Sequence, residues 1–288
     1  MHLRLHYQLT LAPIFFWGYL WAGGDVRVTL LGAFAAFHLF LYGGITAYNT
    51  AYDRDTGPVG GLYRPPEVSP ALLPFSLAVQ LLGLLLVLPI GWQLTLVYVV
   101  LMGLSVGYSH PRIRWKASPL ASSLVVFGGQ GVLGFLAGWL AAGGSIASAL
   151  SPTGLAGAVS AAGVTLGLYP LGQLFQLNED SARGDRTLAL VIGPDRVFRL
   201  SQLVLALSGA LAVVMVGGRF GLLDASLFSL GFLAAIALLD RLRRNFRRDA
   251  VRATYVHVMR LQALLAAGFT VYILARLLLP DLAGRLRW

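Results

Sequence analysis

The 288-residue chain contains no cysteine, which excludes disulfides and thiolate metal sites and leaves the redox compartment open. Charge is scarce too: Asp, Glu, Lys and Arg make up 12% of the residues, about half the ~25% of a soluble domain. With no thiolate and no paired histidines, the donor sets that zinc and iron prefer are missing. The N-terminus also lacks the basic segment and small-residue cleavage site of a signal peptide. What is present is apolar: 57% hydrophobic residues and a mean hydropathy of +0.73. Such a chain is expected in a membrane.

At about 20 residues per crossing, the apolar runs give nine predicted spans: 9–22, 28–52, 70–89, 93–108, 120–142, 154–176, 197–216, 222–239 and 256–279. The expected fold class is all-α, a polytopic membrane bundle of about nine transmembrane helices in one domain, 1–288, with two weakly similar halves, 1–118 and 119–288. Gly57-Pro58, Gly91, Pro111, Pro119 and Gly143-Gly144 punctuate the runs. The first run is short and spans where its neighbours thin the bilayer.

The formal charge of +10 comes from basic residues lying between apolar runs, so topology and lipid headgroups are the expected partners, not nucleic acid. A cytoplasmic N-terminus puts Arg4, Arg54, Arg64, Arg112, Arg114, Lys116, Arg183, Arg186, Arg196, Arg199 and the seven arginines from Arg241 to Arg260 on one side. Arg27, Arg219, Arg276, Arg285 and Arg287 fall on the other, a bias of 17 to 5. The C-terminus is then outside.

Five of the twelve acids lie in two stretches, both on the predicted cytoplasmic face. Asn49 to Pro58 carries Asn49, Asp53 and Asp55; Gln176 to Arg186 carries Gln176, Glu179, Asp180 and Asp185. Asn49 and Asp53 are four apart, so on a helix they share a face. Either stretch alone reads as solvated loop charge. Together, each starting inside an apolar helix, they point to a site. Carboxylate and amide oxygens are hard donors that suit Mg²⁺, which keeps waters and bridges to phosphates.

Between these stretches runs Tyr108-Ser109-His110-Pro111-Arg112-Ile113-Arg114-Trp115-Lys116. It reads either as a positive-inside anchor or as a clamp for anionic oxygens, with Arg64 able to join it. His110 reads as a loop donor. In the segment from 241 to 252, Arg241, Arg244, Arg248 and Arg252 are spaced for one helical face on anionic headgroups. Gly128-Gly129-Gln130-Gly131 falls mid-helix, where small residues let helices approach.

Asn49-xxx-Asp53, Tyr108-xxx-Arg112 and the run from Asp180 through Arg183, Asp185 and Arg186 to Leu188 resemble the intramembrane prenyltransferases of the UbiA superfamily, over most of the chain. That family's first motif is Asn-Asp-x-x-Asp-x-x-x-Asp and its second is commonly Asp-x-x-x-Asp. Thr50, Gly57 and Gln176 stand where an Asp is usual, and Arg112 where Lys is frequent. The resemblance implies Mg²⁺-dependent transfer of a prenyl group from a prenyl diphosphate to a lipophilic, often aromatic, acceptor. It implies metal ligands among Asn49, Asp53, Asp55, Gln176, Glu179, Asp180 and Asp185, with Asp53, Asp180 and Arg112 central to catalysis. Arg64, Tyr108, Arg112, Lys116 and Arg183 would bind substrate, and Tyr48, Phe127 or Tyr169 could face the tail. The rivals are a carrier of an anionic lipid or metabolite that does no chemistry, and a non-catalytic scaffold indifferent to loss of its acids.

Overall fold

In lipid, a helix is the open-ended segment that satisfies every backbone N–H and C=O internally, so long apolar runs become helices. The computed structural model describes residues 1–25 and 27–279, and among them nine helical segments of ten residues or more follow one another. In chain order these are helix 1, Ala12–Trp21; helix 2, Val28–Asp53; helix 3, Leu72–Val87; helix 4, Trp92–Ser109; and helix 5, Pro119–Ala141. Helix 6, Pro152–Phe175, helix 7, Pro194–Phe220, helix 8, Leu222–Arg244, and helix 9, Val251–Leu278, complete the set. Seven of the nine are long and apolar enough to cross a membrane; helix 3 is a shorter apolar helix and helix 1 has ten residues. The protein is an all-α membrane bundle of about nine helices. The placement of Arg285 and Arg287 lies outside the described residues.

Helix 1 follows directly on a 3₁₀ turn, Leu9–Leu11, and lies in the core. All ten of its residues are buried, and it packs on helices 5, 6 and 9. The crossing with helix 5 depends on two glycines: a Cβ on Gly18 would overlap the Phe135 carbonyl, and one on Gly138 would overlap the Phe15 carbonyl. Lipid supplies no hydrophobic drive between helices, so close backbone approach carries this contact. Trp17 Nε1 adds a hydrogen bond of 3.1 Å to Ser160 Oγ on helix 6.

Gly131 of the glycine-rich run packs against Ala162 of helix 6, the role its small size predicts. The run lies in a π-helical stretch, Val126–Leu133, inside helix 5, a widened turn that often marks a functional wall.

Three expectations are corrected. Helices 7, 8 and 9 extend past the predicted spans, because charge ends a hydropathy window whereas arginine continues a helix well. The arginines of the 241–252 segment do not share a helical face: helix 8 stops at Arg244, Asn245 caps it, and helix 9 restarts at Val251. The second acidic stretch does not start inside helix 6. That helix tightens to 3₁₀ geometry over Tyr169–Phe175, where Pro170 removes a backbone donor, and breaks at Gln176. Asp180 sits instead on a separate short helix, Leu177–Arg183.

Candidate active site

The last turns of helix 2 bring Thr46, Asn49 and Asp53 onto one cavity wall. Arg54 then takes a left-handed conformation, φ 50°, which ends the helix and reverses the chain. That reversal returns Asp55 to the cavity, 8% exposed. Helix 4 supplies Tyr108 and Ser109 before the chain turns, with the Ile113 and Arg114 N–H groups both bonding the His110 carbonyl. Arg114 is also left-handed, φ 49°, and aims its side chain back toward the acids. Lys116 follows on a single 3₁₀ turn, Trp115–Ala117. The facing wall comes from Gln176, Asp180 and Arg183, and from Asp185 beyond the left-handed Gly184. The Arg186 N–H bonds the Ala117 carbonyl at 3.0 Å, joining the two loops.

Every acid at this end has a cation beside it. Lys116 Nζ donates to Asn49 Oδ1 and Asp53 Oδ2, and Ser109 Oγ donates to Asn49 Oδ1 at 3.1 Å. Arg114 forks onto Asp185, 2.9 Å to each oxygen, and reaches Asp53 Oδ1 at 3.2 Å. Arg183 donates to Asp55 at 2.5 Å, to Asp180 at 3.4 Å and to the Asp53 carbonyl at 3.3 Å. Burial pushes the Asp180 carboxyl up to about 6 against the pull of Arg183. Burial, then the neighbouring Asp53, raises Asp55. Burial also lowers Lys116. Burial acts upward on Asp185 as well, but the Arg114 fork and Arg183 outweigh it and its pKa falls.

The cavity has a volume of about 360 Å³ and changes character along its length. Above the charged end come Tyr108 and Tyr169, with hydroxyls 3.1 Å apart, and Gln130. The far end is apolar, walled by Trp17, Leu101, Phe228, Phe232, Phe269 and Ile273.

Of the residues expected at a site, Asn49, Asp53, Asp55, Tyr108, Lys116, Gln176, Asp180, Arg183 and Asp185 line this one cavity, as does Tyr169. Tyr48 and Phe127 do not line it. Arg64 and Arg112 are exposed and stand off it. The loop's turn at His110 leaves Arg112 outside, with its N–H on His110 Nδ1, and brings Arg114 inward. Glu179 is turned away from the cavity. Its Oε1 accepts from the Thr56 N–H (3.1 Å), the Thr56 hydroxyl (3.1 Å) and the Gly57 N–H (2.7 Å), tying the second acidic stretch to the first. Sequence reasoning gave no role at the cavity to Arg4, Gln130 and Thr187, which also line it. No spacing singles them out: Arg4 and Gln130 have apolar or small immediate neighbours, and Thr187 is a neutral residue at the end of a charged run.

Among the described residues, no three acids or histidines are grouped so as to hold a metal ion in this arrangement. Lys116 and Arg183 lie between the acids instead. The donor set itself, carboxylate and amide oxygens on opposing walls of one cavity, fits a hard cation such as Mg²⁺.

The UbiA prenyltransferase family matches over residues 11–264. The chain belongs to this family. Solved UbiA structures share its fold at low identity. One is a UbiA homologue from Archaeoglobus fulgidus bound to GPP and Mg²⁺, 17% identical, TM-score 0.69, covering 94% of this chain and 98% of that one. Another is the apo UbiA homologue from Aeropyrum pernix K1, 16% identical, TM-score 0.66, covering 93% and 98%. No curated protein matches the chain. Membership in a family of this architecture, with seven spanning-length apolar helices, makes it an integral multi-pass membrane protein.

Proposed function

We propose that this UbiA-family enzyme transfers a prenyl group from a prenyl diphosphate to a lipophilic, often aromatic, acceptor within the membrane, and that it needs Mg²⁺ to do so. The observation that carries the reading is the polarity gradient of one cavity. Its charged end suits a diphosphate head, and its apolar end suits a hydrocarbon tail. The binding of GPP or DMAPP with Mg²⁺ by the Archaeoglobus fulgidus homologue supports it.

Asn49, Asp53 and Asp180 would hold the Mg²⁺, with Gln176, Asp55 and Asp185 beside them. The ion supplies charge neutralisation to the diphosphate leaving group. Lys116, Arg114 and Arg183 bring positive charge to the same end, where few waters compete, and stabilise the charge that develops as the carbon–oxygen bond breaks. The apolar wall of Trp17, Leu101 and Phe232 excludes water from the allylic cation until the acceptor attacks. The Tyr108–Tyr169 hydroxyl pair sits between head and tail, where it orients the reacting carbon. Glu179 acts through the Thr56–Gly57 loop. The arginine bias supports a cytoplasmic side for this charged end.

The test is turnover of a prenyl diphosphate with and without chelator, together with Asp53→Asn, Asp180→Asn and the double variant. Each single change is expected to remove activity in a folded protein, with the double scarcely worse, because both break one unit. Asp55→Asn and Asp185→Asn are expected to be milder. Full activity in chelator, or in the double variant, would overturn the reading.

A further inference from the structure

Arg4 precedes the region that the family matches, which begins at residue 11. It is nonetheless among the most buried charges in the protein, 6% exposed, and its side chain lines the charged end of the cavity. Its backbone is strained into this position. Arg4 adopts φ 46°, a left-handed conformation that a non-glycine residue takes at a cost. The turn is closed by the Arg4 N–H on the Met1 carbonyl (3.0 Å) and by the Tyr7 N–H on the Arg4 carbonyl (2.7 Å). Around it the N-terminal segment is fastened across the mouth: His6 Nε2 pairs with the Gly61 carbonyl at 2.8 Å, and Gln8 Nε2 donates to Thr46 Oγ1 at 2.7 Å.

The guanidinium has the wrong partners for a structural charge. Nη2 donates to Thr50 Oγ1 at 2.7 Å and Nη1 to the Gly60 carbonyl at 3.2 Å, both neutral. Its Nε is buried and has no hydrogen-bond partner. Among the described residues, Lys116 and Arg183, the other cations lining the cavity, have a carboxylate within 4 Å, and Arg4 has none. A buried cation with no carboxylate in contact, balanced only by the more distant charges of Asp55 and Asp53, is costly unless an anion joins it. If its only task were to tie Thr50 to Gly60, a neutral amide would serve. Thr50 follows Asn49 on the turn that also carries Asp53, so the oxyanion within reach is one held at that turn.

We propose that Arg4 binds the diphosphate of the prenyl donor, so that the N-terminal segment, folded back over the charged end, completes the head-group pocket with a guanidinium. This rests on the prenyl-diphosphate reading of the cavity. An incoming diphosphate gives Nε the acceptor it lacks and gives the guanidinium a negative charge in direct contact. A phosphate or carboxylate on the acceptor is the competing source of oxyanion.

The full chain in detergent, titrated calorimetrically with the non-reacting probe geranyl thiolodiphosphate in the presence of Mg²⁺, tests it. Arg4→Gln is expected to weaken probe binding on the order of ten- to a hundredfold, the loss of a charge-assisted contact. Arg4→Lys, which keeps the charge but not the fork, should recover most of that affinity. Thr50→Ala, which removes the anchor and keeps the charge, should bind almost as the parent does. Probe binding unchanged in Arg4→Gln, with binding lost in Asp180→Asn, overturns the Arg4 contact and leaves the cavity's reading standing. It assigns Arg4 to the acceptor if the KM for the acceptor rises in that variant. A parent protein that does not bind the probe with Mg²⁺ overturns both. Should Arg4→Gln not fold, Arg4→Met, which keeps the stem and removes the charge, takes its place: weaker probe binding at an unchanged melting temperature supports the contact, and unchanged binding overturns it.

Discussion

Asp53 is gripped from two directions, by Lys116 and by Arg114, and Arg114 also forks onto Asp185. Arg112, two residues earlier, points to solvent. The two arginines should therefore separate cleanly on substitution. Arg114→Ala leaves two largely buried carboxylates short of a partner, a loss of roughly 1–3 kcal/mol once its partial exposure is allowed for. Its melting temperature should fall and its KM for the prenyl diphosphate should rise. Arg112→Ala should match the parent in both measurements, and a raised KM there would restore the outer arginine to the clamp. Glu179 offers a second separation. Its oxygen accepts two backbone N–H bonds from residues 56 and 57, a task an amide oxygen also performs. Glu179→Gln should keep its turnover and its Mg²⁺ dependence, while Glu179→Ala loosens the 54–57 reversal and lowers turnover. A weaker apparent affinity for Mg²⁺ in Glu179→Gln would make Glu179 a ligand after all.

At the scale of helices, the contact that positions the cavity is the crossing of helices 1 and 5. Gly18 and Gly138 each meet a backbone carbonyl across it, which no side-chain rotation can relieve. Gly138→Val should therefore cost about 1–3 kcal/mol or more, seen as a lowered unfolding temperature in detergent. Gly103 on helix 4 has open space around its Cα, so Gly103→Ala should be neutral or slightly stabilising. Equal unfolding temperatures for the two variants would show that the crossing is not what holds helix 1 in the centre. The far end of the bundle has its own clasp. Asp224 at the start of helix 8, 2% exposed, accepts from Tyr272 at 2.6 Å and from Arg276, both on helix 9. Tyr272 in turn packs edge-on against Phe228, ring centroids 4.6 Å apart, so this clasp braces an aromatic residue at the cavity's apolar end.

For the whole molecule, the expected arrangement is a charged end in the cytoplasm and an apolar end within the bilayer. Reporter fusions at Gly91, between helices 3 and 4, and at Arg244, at the end of helix 8, should report opposite sides of the membrane. Both on one side would break the alternation on which the orientation rests. The weak similarity of the two halves has a limited counterpart here. Helix 2 carries Asn49 and Asp53 as the end of one continuous helix, whereas Gln176 and Asp180 follow a break at the end of helix 6, Gln176 opening the short helix that carries Asp180.

The sequence alone determined the membrane setting, the all-helical bundle, its nine segments to within a few residues, and the Asn49–Asp53 face. Each of these follows from composition or from a helical period, which are local properties of the chain. The same reasoning placed Asp55, Asp180 and Lys116 near one another only by analogy, and it chose Arg112 for the clamp where the structure brings Arg114 to the acids. Only the tertiary structure shows which arginine turns inward, because the direction of a side chain past a helix end depends on a few backbone angles. Left-handed turns at Arg54 and Arg114 aim Asp55 and Arg114 inward. Glu179 and Arg4 were illegible for a related reason. Their partners are 122 and 46 residues away in Gly57 and Thr50, and no spacing in the chain encodes a contact that exists only after the helices have packed.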